Sequence, residues 1–182
     1  MTGLRIRAAR VDEIPALEDL IARSARLLSR GFYSEAETEA AIAHVFGVDS
    51  DLVADGTYLV AENANGAPLG CGGWSRRETL YGGDKFAARA AGFLDPTKDP
   101  ARIRAFFVDP AAARGGVGTA ILHACEAGAQ AAGFTRTALM ATLPGVPFYA
   151  RHGYAPAGDV IHYDCGGVPV RFRPMGKMFP SI

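Results

Sequence analysis

Asp109 to Leu122 reads DPAAARGGVGTAIL and sets three glycines against the start of a run with helical spacing. From Val117 the small and apolar positions fall at Ala120, Ile121, Ala124, Gly128 and Ala131, with His123 and Glu126 on the opposite face. Glycine is costly inside a helix, so this cluster marks a helix N-terminus. Such an end presents unpaired N–H groups and a partial positive charge, and glycines let a guest approach them. The matching guest is phosphate or pyrophosphate, with Arg114 adding a cation at the rim. A tight strand-to-helix turn that needs φ > 0 explains the same glycines, and the loop alone leaves both readings open. No GK[ST] follows, which excludes a Walker loop. No GxGxxG follows the first strand, which argues against a dinucleotide fold.

The elements around this loop follow from pattern. Ile103–Val108, IRAFFV, is an apolar strand that Asp109-Pro110 turns into the loop, and the helix then runs to about Ala132. Thr135–Ala141 reads as a strand, and PFYARHG as a short helix with Gly153 just past its end. Upstream, Leu4, Ile6 and Ala8 alternate with arginines in an opening strand. Asp12 is placed to cap a helix with Ile14, Leu17, Leu20, Ile21, Ser24 and Leu27 facing inward. Ser34 and Glu37 have capping-box spacing and open a second helix. Thr57–Glu62 and Leu69–Trp74 flank Asn65-Gly66, a hairpin signal. Two more strands are expected between Tyr154 and Phe179, separated by Gly166-Gly167. The stretch from Ser75 to Pro100 exceeds the roughly 12–15 residues of an ordinary loop, so it is expected to be functional or partly helical.

Composition sets the outer limits. With 182 residues, 49% apolar, the chain is expected to form one domain over 1–182 with its own core. A net charge of zero gives no global attraction to nucleic acid or membrane. No apolar run is long enough to span a bilayer, and the first residues lack the apolar core of a signal peptide, so a cytoplasmic protein is expected. Cys71, Cys125 and Cys165 are scattered and odd in number, which argues for reduced packing thiols and against a disulfide framework or a zinc site.

FFVDP, ARGGVG and, about thirty residues on, YARHGY stand in the order and spacing of the GNAT superfamily of N-acetyltransferases, which the chain resembles. The likeness is motif-specific from Ile103 to Tyr154 and extends in outline over the whole chain. One departure is Ala113, where the family's loop usually has Gln or Arg. The resemblance implies an α/β (α+β) GNAT fold, a mixed central sheet of about six to seven strands flanked by about four helices. It implies acetyl-CoA as cosubstrate and acetyl transfer to an amine of a small molecule, amino acid or peptide by direct attack. Backbone groups of Phe106, Phe107 and Val108 would receive the pantetheine arm. The loop Ala113, Arg114, Gly115, Gly116, Val117, Gly118 and Thr119 would hold the pyrophosphate, and Tyr149 would be the general acid that protonates the departing thiolate. Phe32, Tyr33, Trp74 and Tyr81 are aromatic residues near turns that stand as candidates for the acceptor pocket. A homodimer is allowed by the family pattern. Two other readings share these motifs: a non-catalytic acyl-CoA-binding module, and an enzyme acting on a protein amino group.

The attacking nitrogen must be neutral. A lysine-like amine of pKa about 10.4 loses about 4.6 kcal/mol to deprotonation at pH 7, and an α-amino group only about 1 kcal/mol. No carboxylate lies on the strand from Ile103 to Val108. Glu78, Asp84, His152 and His162 remain as base candidates, and none is favoured by pattern. Arg102 and Arg104 read as solvated strand-edge residues, with attraction of an acidic substrate group as the alternative. A covalent route through Cys71 lacks a histidine nearby in sequence, and Cys125, on a helix face next to Ala124, reads as a packing residue.

Overall fold

The computed structural model describes residues 3–86 and 90–180. Among these residues eight strands, β1 to β8 in chain order, form one sheet in the order β1-β2-β3-β4-β5-β8-β6, with β7 paired to β8. The first half runs β1 (Arg5–Ala8), α1 (Ile14–Leu28), α2 (Glu35–His44), α3 (Ser50–Ala54), β2 (Tyr58–Glu62) and β3 (Pro68–Ser75). The second half runs β4 (Ala101–Val108), α4 (Val117–Ala131), β5 (Arg136–Thr142), α5 (Val146–Arg151), β6 (Ala155–Pro156), β7 (Ile161–Cys165) and β8 (Val168–Met178). The sheet is mixed and helix-flanked as expected, with slightly more strands. The two-residue β6 and the one-turn α3 are too short to leave a periodic signal.

Alternation along the strands separates two cores. On β2, Tyr58 and Val60 join Leu17 and Leu20 of α1 and Ala41 of α2, whereas Leu59 and Ala61 join Ile121 and Leu122 of α4. The helices therefore cover opposite faces of the sheet. α1 begins later than its sequence suggests, because Val11–Glu13 form a 3-10 turn and Asp12 does not cap it. Its buried face takes Ala25, and Leu27 is left 45% exposed. Ser34 and Glu37 do form the reciprocal capping box of α2. The β2–β3 turn is longer than a two-residue hairpin: the side chain of Asn63 accepts from the N–H groups of Asn65 and Ala67, and Gly66 has φ 78°.

Two irregularities in β4 give the sheet its opening. Pairing with β5 is parallel and confined to Ala101–Thr137 and Arg102–Ala138, so beyond Arg102 the two strands part. Against β3, Cys71 pairs with Phe107 and Gly73 with Arg104, which leaves Ala105 and Phe106 opposite the single Gly72. This bulge puts Ala105 at φ 49°, and its carbonyl accepts the hydroxyl of the buried Tyr58 at 2.9 Å. Gly72 leaves room for the bulge, since a Cβ there would lie 2.5 Å from the Phe106 ring.

The segment between β3 and β4 contains no helix or strand among its described residues, and 87–89 lie outside them. It is tied down by Arg77 on Asp55 (2.8 Å), by reciprocal hydrogen bonds between Thr79 and Ala90, and by Phe86, which is buried against Tyr81.

Candidate active site

Where β4 and β5 separate, a cleft of about 890 Å³ opens. It takes residues from both cores, Ala25 and Phe172 from one and Ile103 and Tyr149 from the other, so it joins the two faces of the sheet.

On the α4 side the wall is the glycine loop. Asp109 turns the chain through an acceptor bond from Ala111 N–H (2.9 Å), and Arg114 at φ 62° and Gly116 at φ 82° carry it into the helix. Helices α2 and α3 start under capping side chains, Ser34 and Asp49, but α4 starts on Gly116 with no side-chain cap. The N–H groups of Gly116, Val117, Gly118 and Thr119 find no acceptor among the described residues. A helix end left this way beside a cleft is an anion cradle. Ala113, Arg114, Gly116, Gly118 and Thr119 line the cleft. Gly115 and Val117 stay out of the lining, and Val117 is buried in the core.

Phe106, Phe107 and Val108 form the neighbouring wall, on a length of β4 that has no partner on its β5 side. Such an edge has backbone groups available for an extended ligand. Tyr149 lines the opposite wall from α5, its ring packed on Phe106 at 6.1 Å and Tyr154 at 5.6 Å. Its hydroxyl makes no hydrogen bond to any described residue. Burial, then the nearby Cys125, pushes this phenol well above its ordinary value of 10.0, so it keeps its proton at neutral pH.

His152 also lines the cleft. Its Nδ1 lies 2.8 Å from the carbonyl of Phe148, which only accepts, so Nδ1 carries a proton. Nε2 is then turned to the hydroxyl of Thr119 at 3.1 Å, on the α4 side. The other three base candidates are elsewhere: Glu78 and His162 are exposed outside the lining, and Asp84 accepts from the N–H and hydroxyl of Ser50. Among the described residues no aspartate or glutamate lines the cleft. All three cysteines are free and buried. Burial pushes the Cys71 thiol up to about 12, and Cys125 is raised for the same reason, so neither offers a thiolate.

The acceptor candidates divide. Phe32 and Tyr81 line the cleft. Trp74 does not: it packs on Phe134 and over Gly128 of α4, where any Cβ would meet its indole nitrogen at 2.4 Å. Tyr33 is buried behind the wall, donating to the carbonyl of Arg171 (2.5 Å) and accepting from Leu143 N–H (2.9 Å), and burial holds its phenol at about 12. It braces β8 against the turn that leads to α5. Arg104 is likewise not a solvated edge residue. Its side chain is fully buried, ion-paired to the equally buried Asp49, and donates to the carbonyl of Gly82 at 2.6 Å. Arg102 is half-buried. Sequence pattern missed Met140 of β5, Phe172 of β8 and Phe46, just past α2, which are far apart in the chain and carry only a core signature.

A mixed sheet whose two parallel strands part, with a bulged strand and an uncapped helix lining one cleft, defines the α/β class of this chain. Residues 54–156 match the model of the acetyltransferase (GNAT) domain, and the chain belongs to that family. Among solved structures it is similar to the GCN5-related N-acetyltransferase "Aminotransferase, Class-II" from Rhodopseudomonas palustris, with 21% identity, 98% of each chain covered and a TM-score of 0.72. It is similar also to the PaiA N-acetyltransferase of Thermoplasma acidophilum, solved in complex with coenzyme A, at 15% identity over 98% of this chain and 100% of that one, TM-score 0.64. A third is N-acetylglutamate synthase from Neisseria gonorrhoeae, complexed with coenzyme A and L-arginine, at 16% identity over 100% of this chain but 34% of that one, TM-score 0.59. At these identities the likeness carries the fold. No curated protein matches the chain.

Proposed function

We propose that the chain is an acetyl-CoA-dependent N-acetyltransferase whose cleft brings a thioester and an amine together for direct transfer. The observation that carries this reading is the uncapped start of α4, where Gly116, Gly118 and Thr119 line the same cleft as Phe106–Val108 of β4, beyond its pairing with β5, and as Tyr149, whose hydroxyl has no partner among the described residues. The cradle fits a diphosphate, and Arg114 stands beside it without an ion pair to any described residue. Phe106–Val108 fit a pantetheine arm as an added strand would. Acetyl-CoA supplies an acetyl group activated as a thioester.

The residues then do the following. β4 orients the carbonyl towards the acceptor side. The amine nitrogen bonds to the acetyl carbon, the carbon–sulfur bond breaks, and the nitrogen loses one proton while the sulfur gains one. Tyr149 presents its hydroxyl to the departing sulfur, as a hydrogen-bond donor that stabilises charge there and as the proton source. A covalent acetyl-cysteine route is not supported, since both thiols near the sheet centre are buried and held protonated.

Calorimetric titration with acetyl-CoA and amine-dependent release of free CoA thiol test the reading together. Binding with turnover supports an enzyme. Binding without turnover over a broad amine panel supports a non-catalytic acyl-CoA module, and absence of both removes the proposal.

A further inference from the structure

Beyond the α4 side, the cleft continues into a chamber under α1, and this half has a chemistry of its own. Leu28, Phe32, Phe46, Tyr81, Met140 and Phe172 line it. Phe46 and Tyr81 both pack on Phe172, at 6.2 and 5.8 Å between ring centroids. Leu28 and Phe32 remain 38% and 43% exposed at its rim, an apolar edge that solvent does not favour.

We infer that the acceptor is a small amine with an uncharged, apolar body, seated on this aromatic chamber. The inference rests on the acyl-transfer reading and specifies its substrate class. Charge carries the argument as much as shape. No carboxylate lines the cleft among the described residues, so a polyamine would leave its remaining cations without counter-charge there. An amino dicarboxylate needs a cation, and the one that lines this half, Arg104, already faces Asp49 and the carbonyl of Gly82. The other cations of the lining, Arg114 and Arg151, stand with the glycine loop and α5. An apolar body loses nothing by leaving water here and gains ring contacts. With no carboxylate base in the lining, an amine that ionises near neutrality, such as an α-amino group, is also the easier one to use.

The test uses the full chain at saturating acetyl-CoA with three probes: L-phenylalaninamide, spermidine and L-glutamate. Thiol release gives kcat/KM for each, and calorimetry gives the acetyl-CoA affinity in parallel. The expected result is a preference of about 100-fold or more for phenylalaninamide over both others. Equal or better use of spermidine or glutamate overturns the substrate class while leaving acyl transfer intact. Acetyl-CoA binding with no thiol release from any probe removes the class and, if a wider amine panel is also silent, the enzyme reading beneath it. Phe32→Asp provides the second arm, at a rim position whose exposure makes folding robust. It should raise KM for phenylalaninamide about tenfold, lower KM for spermidine, and leave acetyl-CoA affinity unchanged. Unchanged KM values for both amines count against the chamber.

Discussion

Tyr149 is a phenol with its ring in the core and its hydroxyl at a cleft. Burial has two opposite effects on such a group. It makes the phenol reluctant to ionise, so the proton is there to give; it also makes the phenol a weaker acid than a free thiol. In the proposed transfer the hydroxyl would therefore contribute chiefly where negative charge grows on sulfur, in the transition state. Tyr149→Phe should lower kcat about 100-fold and leave the calorimetric affinity for acetyl-CoA within about twofold. The pH dependence has a definite sign. A raised acid value keeps the protonated form to higher pH, so kcat of the parent chain should show no decline up to pH 10.0. An alkaline limb well below that value would remove Tyr149 from the role. Its place at the cleft was legible, because YARHGY carries a local spacing, whereas the loss of Tyr33 and Trp74 from the pocket was not. Tyr33 is fixed by a bond to Arg171, 138 residues away, and Trp74 by which face of a bulged strand it falls on.

Among the elements, β4 and α4 set the geometry. Gly116 holds the αL turn at the head of α4, and a carboxylate there opposes any anion at the same N–H groups. Gly116→Glu should weaken acetyl-CoA binding by at least about tenfold, equivalent to about 1.4 kcal/mol. Calorimetry measures this directly, and an unchanged affinity puts the diphosphate elsewhere. The bulge in β4 has a less visible support. Tyr58 donates to the carbonyl of Ala105, the one residue of the strand forced to φ 49°. Tyr58→Phe removes the partner of this half-buried carbonyl and should lower stability by about 1 kcal/mol, read from denaturant melts. The bulge left no trace in the sequence because alanine gives no hint of a positive φ, and its partner Tyr58 looks like any core aromatic. The helix start was legible because glycine is costly inside a helix, so the cluster had to mark its end, and Gly116 takes the positive φ of a tight turn.

For the molecule as a whole, acid is the relevant stress. Glu13 is held below the usual 4.5 chiefly by its hydrogen bond from Arg7, Glu37 by the backbone N–H of Ser34, and Asp55 by Arg77. For each, the unfolded chain takes protons at a higher pH than the folded one, so stability rises with pH until the unfolded value is passed. Melting temperature should be level from pH 7 to about 5 and fall below 4.5. Glu13→Gln should shrink both the neutral stability and the acid slope in thermal melts; an unaltered slope would show that this carboxylate is not part of the effect. At this scale the mixed, helix-flanked sheet was expected, while the order of its strands was not read from the sequence. The buried Asp49–Arg104 pair was not, since alternation on β4 cannot say that a carboxylate from another element will meet the guanidinium.

The cleft draws its walls from the cores on both faces of the sheet. In the proposed transfer, donor and acceptor would then have a face each. One could arrive while the other is already seated, and the acetyl group would need no resting place on the chain between visits.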